Sequence, residues 1–298
     1  QLLDFCFGIT FANQGFEPSV EYPIGMKKAL IGIISFLILL FSGVQCTFFE
    51  NRIEKVFKTP YILDLQGIQN RGTLRAAVDN NSTSYYIYRG RRMGYEFELL
   101  RDLGKNLGVQ IEFVVVSDID KAFDLLDEGK VDLIAMNLEN SRERRQRVSF
   151  THYLGTMSTV VVGRKPFESS VSWESLGSDT VYVRKGTVYA KQLAAIKDSL
   201  QLSFQVKVTE DHEETLIDQI ADQQINWTVA DRNIAKANQT YYQGLDVSLK
   251  VSENGTISWA VRKNSPELLE EINHWLEVKK ERFIPEVYGK YFLSPRNS

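Results

Sequence analysis

From Gly72 onward the sequence alternates apolar, β-branched runs with stretches of helical periodicity, and that alternation leaves few folds open to the chain. Leu74-Arg75-Ala76-Ala77-Val78 reads as a strand. Tyr95, Leu99, Leu100, Leu103 and Leu107 recur at helical spacing and stop at Gly108, a natural C-cap. Residues 109–116 have the β-branched, apolar character of a buried strand. Residues 119–128 read as a second helix, closed by Gly129, and residues 131–136 as a third strand. Strands separated by helices of about 10–15 residues define βαβ units and a parallel sheet.

The same plan returns downstream. Residues 180–183, 202–208 and 225–230 read as strands, the last ending at Asp231, with helices over 189–200 and 213–223 between them. Residues 127–135 and 222–230 both run from a helix end through a short turn into a strand that finishes on alanine. Two further strands, 159–162 and 257–261, lead into Arg164-Lys165-Pro166 and Arg262-Lys263-Asn264-Ser265-Pro266, basic pairs followed by turns. Such strands suit crossings between two lobes, and helices over 267–279 and 283–291 would return to the first. The expected fold class is therefore α/β, with two lobes, each a βα sheet, and two crossing strands at a hinge. Lobe 1 is expected over 68–164, lobe 2 over 165–258 and the return over 259–293. Residues 47–67 read as a tether with a short helix near 62–70, and residues 294–298 as the start of a linker to a C-terminal domain. In open α/β sheets, ligands sit beyond the carboxyl ends of the strands. Two facing lobes imply a cleft that closes by hinge motion, hence binding coupled to movement rather than covalent chemistry.

Composition narrows the partners. The 35 basic and 38 acidic residues give a net charge of −3, with no basic excess to neutralise phosphates, which argues against nucleic acid. Cys6 and Cys46 precede the whole alternating region, so neither a disulfide framework nor a cysteine zinc site is expected within it. His152, His212 and His274 are far apart in sequence, and no metal or other cofactor is expected. Near the N-terminus, Met26-Lys27-Lys28 precedes an uncharged run over 29–41 and then Ser42-Gly43-Val44-Gln45-Cys46. A basic start, an apolar run and small residues before a cysteine resemble a bacterial lipoprotein signal over 26–46, with lipid attached at Cys46. Gln45 departs from the usual small residue, so plain secretion and an uncleaved anchor stay open. Residues 1–25 read as an upstream extension. The expected location is periplasmic, with the chain anchored in a bacterial membrane, the outer one favoured.

Several motifs together resemble the family 3 periplasmic solute-binding proteins, which include the amino-acid receptors of ABC transporters. They are Gly94-Tyr95-Glu96-Phe97-Glu98-Leu99-Leu100, Leu107-Gly108-Val109, Glu128-Gly129-Lys130-Val131-Asp132-Leu133, and Ser141-Arg142-Glu143-Arg144 with Val148-Ser149-Phe150-Thr151. The resemblance spans about residues 68–293. Residues 74–94, with Ser84-Tyr85-Tyr86-Ile87-Tyr88-Arg89-Gly90, together with Asn137-Leu138 and Val229-Ala230-Asp231, look most similar to the N-terminal domains of the membrane-bound lytic transglycosylase F family. There a binding-like domain precedes a peptidoglycan-cleaving domain and regulates it. No catalytic domain is expected in this chain. The lytic general acid/base is a Glu in a Glu-Ser pair on a helix, and the pairs here, Glu168-Ser169 and Glu174-Ser175, fall in a turn-rich stretch.

The resemblance also implies a ligand site. Arg144 matches the arginine that clamps an α-carboxylate, a role suited to the guanidinium fork. Asp231 matches the carboxylate that holds the ligand ammonium, and could equally cap the following helix. Asp79 ends the corresponding strand of lobe 1, where it would bind ligand or order its loop. Thr187 and the Val188 amide, after Gly186, match a turn that contacts the carboxylate. Tyr85 and Tyr86 would pack on ligand or cover lobe 1. Glu139 stands where the receptors carry threonine, and Ser82 and Ile119 where some carry aromatic rings. Asp79, Glu139 and Asp231 against Arg144 imply an acidic cleft that favours a cationic or amino-bearing ligand, such as a peptidoglycan stem fragment. Asp118 and Asp120 would add to that field or cap a helix. The expected partners are an amino acid, peptide or muropeptide, a membrane, and either a lytic domain in cis or an ABC permease. A dehydratase of the cyclohexadienyl type is a third reading, invited only by Glu139.

Overall fold

The structure, a computed structural model, describes residues 61–165 and 170–293. The expected extension, signal segment and lipidation cysteine Cys46, much of the tether, the pair Glu168-Ser169 and the linker at 294–298 lie outside the described residues. The first half of the fold comprises α1 (Leu65–Arg71), β1 (Thr73–Val78), β2 (Tyr86–Tyr88), β3 (Arg91–Met93), α2 (Tyr95–Leu107), β4 (Gln110–Val115), α3 (Ile119–Asp127), β5 (Leu133–Glu139) and β6 (Val148–Phe150). The second half comprises β7 (Gly155–Arg164), β8 (Thr180–Arg184), α4 (Tyr189–Leu200), β9 (Gln205–Thr209), α5 (Glu213–Ala221), β10 (Trp227–Asp231), α6 (Arg232–Gln239) and β11 (Leu245–Asp246). The long strand β12 (Lys250–Arg262) then leads back to α7 (Pro266–Lys279) and α8 (Phe283–Tyr288).

Among the described residues the main sheet runs in the order β4-β1-β5-β12-β7-β10-β8-β9. β4, β1 and β5 are parallel at one end, and β10, β8 and β9 are parallel at the other. The two crossing strands β7 and β12 lie between them, antiparallel to each other and to their neighbours. The expected pair of separate sheets is thus one continuous ladder. Each crossing strand has two edges, and both edges are paired.

Each end of the sheet is covered on both faces. Leu74, Ala76, Val78 and Leu133 face a core with α2 and α7, where Trp259 and Trp275 stack at 6.0 Å. Ala77, Ile134 and Met136 face α3 through Ala122, Phe123 and Leu126. The far end repeats this, with Val181, Val183 and Val229 against Tyr189 and Leu193, and Val160, Val162 and Ala230 against Ile217, Ile220 and Ile234. Strands buried on both faces account for the unbroken apolar runs in the sequence.

One buried ion pair ties the returning strand to lobe 1. Asp132 is fully buried and accepts from Arg75 N at 3.0 Å, from Arg262 Nη2 at 3.1 Å and from Arg71. Arg262, at the end of β12, also donates to the carbonyls of Val131 at 2.6 Å and Leu63 at 3.2 Å. Gly94 solves a different problem. Its φ is +131°, and a Cβ there would lie 2.1 Å from the Ser84 carbonyl oxygen, so only glycine lets the 80–86 loop fold over the start of α2. Asp132→Asn would leave the Arg262 guanidinium buried without its counter-charge. Chemical denaturation should show a loss of about 3–5 kcal/mol, the usual cost of breaking a buried pair from one side.

Candidate functional site

The strand ends converge as doubly wound topology requires. Asp79 follows β1, Glu139 ends β5, Arg184 ends β8 and Asp231 ends β10. They meet at a cleft between the two ends of the sheet, joined by Thr187 and Val188 from the turn before α4 and by Arg144 from a short 3-10 turn after β5. Six of the eight expected ligand-site residues, Asp79, Glu139, Arg144, Thr187, Val188 and Asp231, therefore line one cavity. The space left is about 30 Å³, room for a single water and not for an amino acid. Glu139, Arg144, Thr187 and Val188 also border a wider groove of about 640 Å³ leading outward.

Tyr85 and Tyr86 do not line the cavity. Tyr85 is buried in lobe 1, stacked on Phe113 at 5.2 Å and set edge-on to Phe97, and Tyr86 packs against the same core. Of the two roles open to them, the structure gives the covering one. Asp231 takes the capping role with one of its oxygens. Its Oδ1 caps α6 by accepting from Asn233 N at 2.7 Å and Ile234 N at 3.3 Å, while its Oδ2 is buried without a partner. Glu139 Oε2 is likewise buried and unpartnered. Arg144 donates to the Glu139 carbonyl at 3.2 Å and, across the cleft, to the Gly186 carbonyl at 2.6 Å. Thr187 does not cap α4, and its hydroxyl donates to the Arg184 carbonyl at 2.7 Å. Asp118 caps α3 by accepting from Asp120 N and Lys121 N.

Asp79 is not free. Arg184 places both terminal nitrogens on it, at 2.7 and 3.1 Å, and donates to Glu213 at 2.9 Å and to the Ser117 carbonyl. Arg184, Asp79 and Glu213 are all buried. Burial opposes the charge on Arg184, but Glu213 and Asp79 outweigh it and hold the guanidinium charged. Another contact crosses the cleft: Ser82 N donates to the Glu214 carboxylate at 3.1 and 3.2 Å. Arg184 and Glu213 add one charge of each sign, so the formal balance of the cleft stays acidic while Asp79 is engaged from within. Sequence reasoning missed Arg184 and Glu213; for Arg184 the available signal was a charged residue at the end of a buried strand, the position shared by Asp79 and Asp231, whereas Glu213 opens α5 and carries no such signal.

The carboxylates perturb one another. Burial, with a smaller push from Glu213, raises Asp231 to about 6 against the pull of its two amide hydrogen bonds. Glu96, in the first turn of α2, is 2% exposed and its Oε2 has no partner. Burial raises it to about 7, and Asp79 and Asp231 add to the shift. Glu174 of the Glu174-Ser175 pair is exposed on a short 3-10 turn and does not line the cleft cavity. Among the described residues, no group of three or more His, Cys, Asp or Glu is placed to hold a metal ion. Among them, too, no helix is long and apolar enough to cross a membrane.

Fold and site together define a two-lobe binding protein of the type II periplasmic class. Residues 74–294 match the bacterial extracellular solute-binding proteins, family 3, and the chain belongs to that family. A membrane-bound lytic murein transglycosylase F of Desulfosudis oleivorans is 33% identical over 230 residues, covering 76% of this chain and 50% of the relative. A protein of the same name from Pseudomonas fluorescens is 27% identical over 236 residues, covering 76% and 48%. The chain thus spans about half the length of these curated relatives. Among solved structures, an ancestral arginine-binding protein bound to arginine superposes with a TM-score of 0.66 at 25% identity, covering 74% of this chain and 99% of its own. An ancestral amino acid-binding protein, a precursor of cyclohexadienyl dehydratase, gives 0.65 at 26% identity, covering 76% and 98%.

Glu96 predicts a pH dependence. A carboxyl raised from 4.5 to about 7 is protonated more readily folded than unfolded. Its contribution to stability is complete below the unfolded value and is lost as pH rises to about 7. Glu96→Gln should match the wild type in acid and exceed it above neutrality, by on the order of 3 kcal/mol. Denaturant unfolding across this range checks it, and parallel profiles would show that Glu96 stays ionised.

Proposed function

We propose that this domain binds a small amino-acid-like or peptidoglycan-derived ligand between its lobes and closes on it, outside the cytoplasm. In a longer protein of the lytic transglycosylase F kind, that closure would regulate a C-terminal lytic domain. The observation that carries the reading is the pair of buried, unpartnered carboxylate oxygens, Asp231 Oδ2 and Glu139 Oε2, beside the Arg144 guanidinium at the closing faces. Buried acceptors without donors cost about 1–3 kcal/mol each. A ligand ammonium satisfies them, and Arg144, which uses two of its five donors on the protein, has donors left for a carboxylate. Lipid attachment at Cys46 would hold the domain at the bacterial outer membrane.

A second reading is a free-standing receptor of an ABC transporter. It is favoured by the near-complete coverage, 99% and 98%, of solved amino-acid-binding chains. Joint purification with a permease, against cell-wall cleavage that responds to the ligand, separates the two.

Calorimetry against L-amino acids and muropeptides tests the site. Arg144→Ala should cost about 2–5 kcal/mol of affinity for a carboxylate ligand, as a buried charge partner does. Arg147→Ala should cost about 0–1 kcal/mol, because Arg147 pairs with Asp124 and Asp127 at the surface. Equal losses would remove Arg144 from the site. Asp231 adds a pH test. An ammonium needs it ionised, so affinity for an amino-bearing ligand should fall as pH drops below about 6, and Asp231→Asn should abolish that dependence.

A further inference from the structure

Arg184 occupies a place that a ligand could fill. Its guanidinium lies at the inner end of the cleft, 4% exposed, with its terminal nitrogens on oxygens from three other segments. Asp79 and Ser117 belong to lobe 1, and Glu213 to lobe 2. The Asp79 contact is two-pronged, the geometry in which a planar guanidinium matches a carboxylate. His212 Nδ1 stands 3.6 Å from the same carboxylate, and Tyr189 donates its hydroxyl to Glu213 at 3.3 Å.

Asp79 and Glu213 are each 6% exposed and share one cation. Two carboxylates out of water and side by side cannot both stay ionised alone, so their arrangement requires a positive charge between them. The requirement is specific in shape as well as sign, because the acceptors lie in the directions that a fork of N–H donors presents. Asp79, Glu213 and the Ser117 carbonyl therefore form a guanidinium-binding subsite. The chain fills it from its own β8.

We propose that Arg184 is a built-in occupant of this subsite, which excludes ligands with a basic side chain and holds the two lobes together when no ligand is bound. The proposal rests on the reading of the cleft as the ligand site. It deepens that reading by assigning the ligand class: an amino-acid-like molecule whose side chain is neutral, since Arg184 takes the place that a lysine or arginine side chain would need. It also accounts for closure around a space of only about 30 Å³.

The test uses methylguanidinium as the probe. Arg184→Ala removes the occupant and leaves the acceptors, so it should bind methylguanidinium at least about ten-fold more tightly than the wild type does. Its melting temperature should rise with the probe by mass action while that of the wild type stays level. If Arg184→Ala is unfolded alone, recovery of the fold with methylguanidinium, and not with equal tetramethylammonium, supports the same conclusion. Asp79→Asn, with Arg184 retained, should expand in small-angle scattering relative to the wild type. Equal probe affinity in wild type and Arg184→Ala, absence of recovery by the probe, or an Asp79→Asn variant as compact as the wild type would each overturn the proposal. None of these outcomes depends on finding a natural ligand. Failure of the amino-acid and muropeptide panel would count against the function proposed above and leave this test standing.

Discussion

β7 and β12 run antiparallel between the two ends of the sheet, and this pairing fixes the geometry of everything else. Thr156 pairs with Thr256 and Ile257 with Gly155, while the outer edges of the same strands pair with β10 and β5. Lobe 1 and lobe 2 are thereby joined by backbone hydrogen bonds, and the described polypeptide passes between them here. A register slip of one residue in β12 would turn Trp259 and Val261 from the α2–α7 face of the sheet to the α3 face and bring Ala260 the other way. The register shifts at Lys250–Ser252, Ser252–Gly255 and Ser258–Ala260 mark where the crossing strands bend from one lobe to the next. A hinge made of bent strands allows rotation about the connection without loss of either core.

Two buried arginine clusters serve different ends. Arg262 with Asp132 lies wholly within lobe 1, satisfied also by the Leu63 and Val131 carbonyls, so it locks the return of β12 and has no counterpart that moves. Arg184 with Asp79 spans the cleft. In water each partner would be solvated separately, so opening exchanges the pair for hydration at modest net cost, unlike the loss of one partner inside a closed core. The same chemistry is static in one place and reversible in the other because of where the partners sit relative to the hinge.

Much of this was legible in the sequence where local pattern and final environment agree. α2 and α4 keep the expected bounds, 95–107 and 189–200; in α2 a full apolar stripe and the terminating Gly108 are written into the sequence, whereas α4 buries only Tyr189 and Leu193 and ends at a left-handed Gln201. The crossing strands were legible only in part. The stretch 250–256 is polar and joins β12 through pairing with β7, a partner about a hundred residues away. β5 runs on to Glu139, past the expected end at Met136, because Ile257 and Ser258 extend its ladder. The hairpin of β2 and β3 was missed, since three-residue strands are too short for periodicity to register and the turn depends on left-handed conformations at Arg89 and Gly90. Asp79 and Asp231 could be found as strand-end acids. That Asp79 is already engaged could not be, because its partner lies 105 positions downstream.

The engagement of Asp79 sets the energetics of ligand capture. Closing the cleft buries Asp231 Oδ2 and Glu139 Oε2 without donors from the protein, an unfavourable term of about 1–3 kcal/mol for each group. The cross-cleft bonds of Arg184, Arg144 and Ser82 act in the opposite sense. A ligand that reaches the cleft only when it opens binds with an apparent dissociation constant raised by the reciprocal of the open fraction. Its own contribution is the differential between the two forms, here the two unsatisfied oxygens it can pair once the lobes reclose. Affinity and closure are therefore linked through particular atoms. Strengthening the latch raises the free energy of opening, and filling the orphan acceptors lowers the free energy of the liganded closed form alone. On the proposed reading, a domain arranged in this way would respond to a ligand by deepening the closure that these contacts favour.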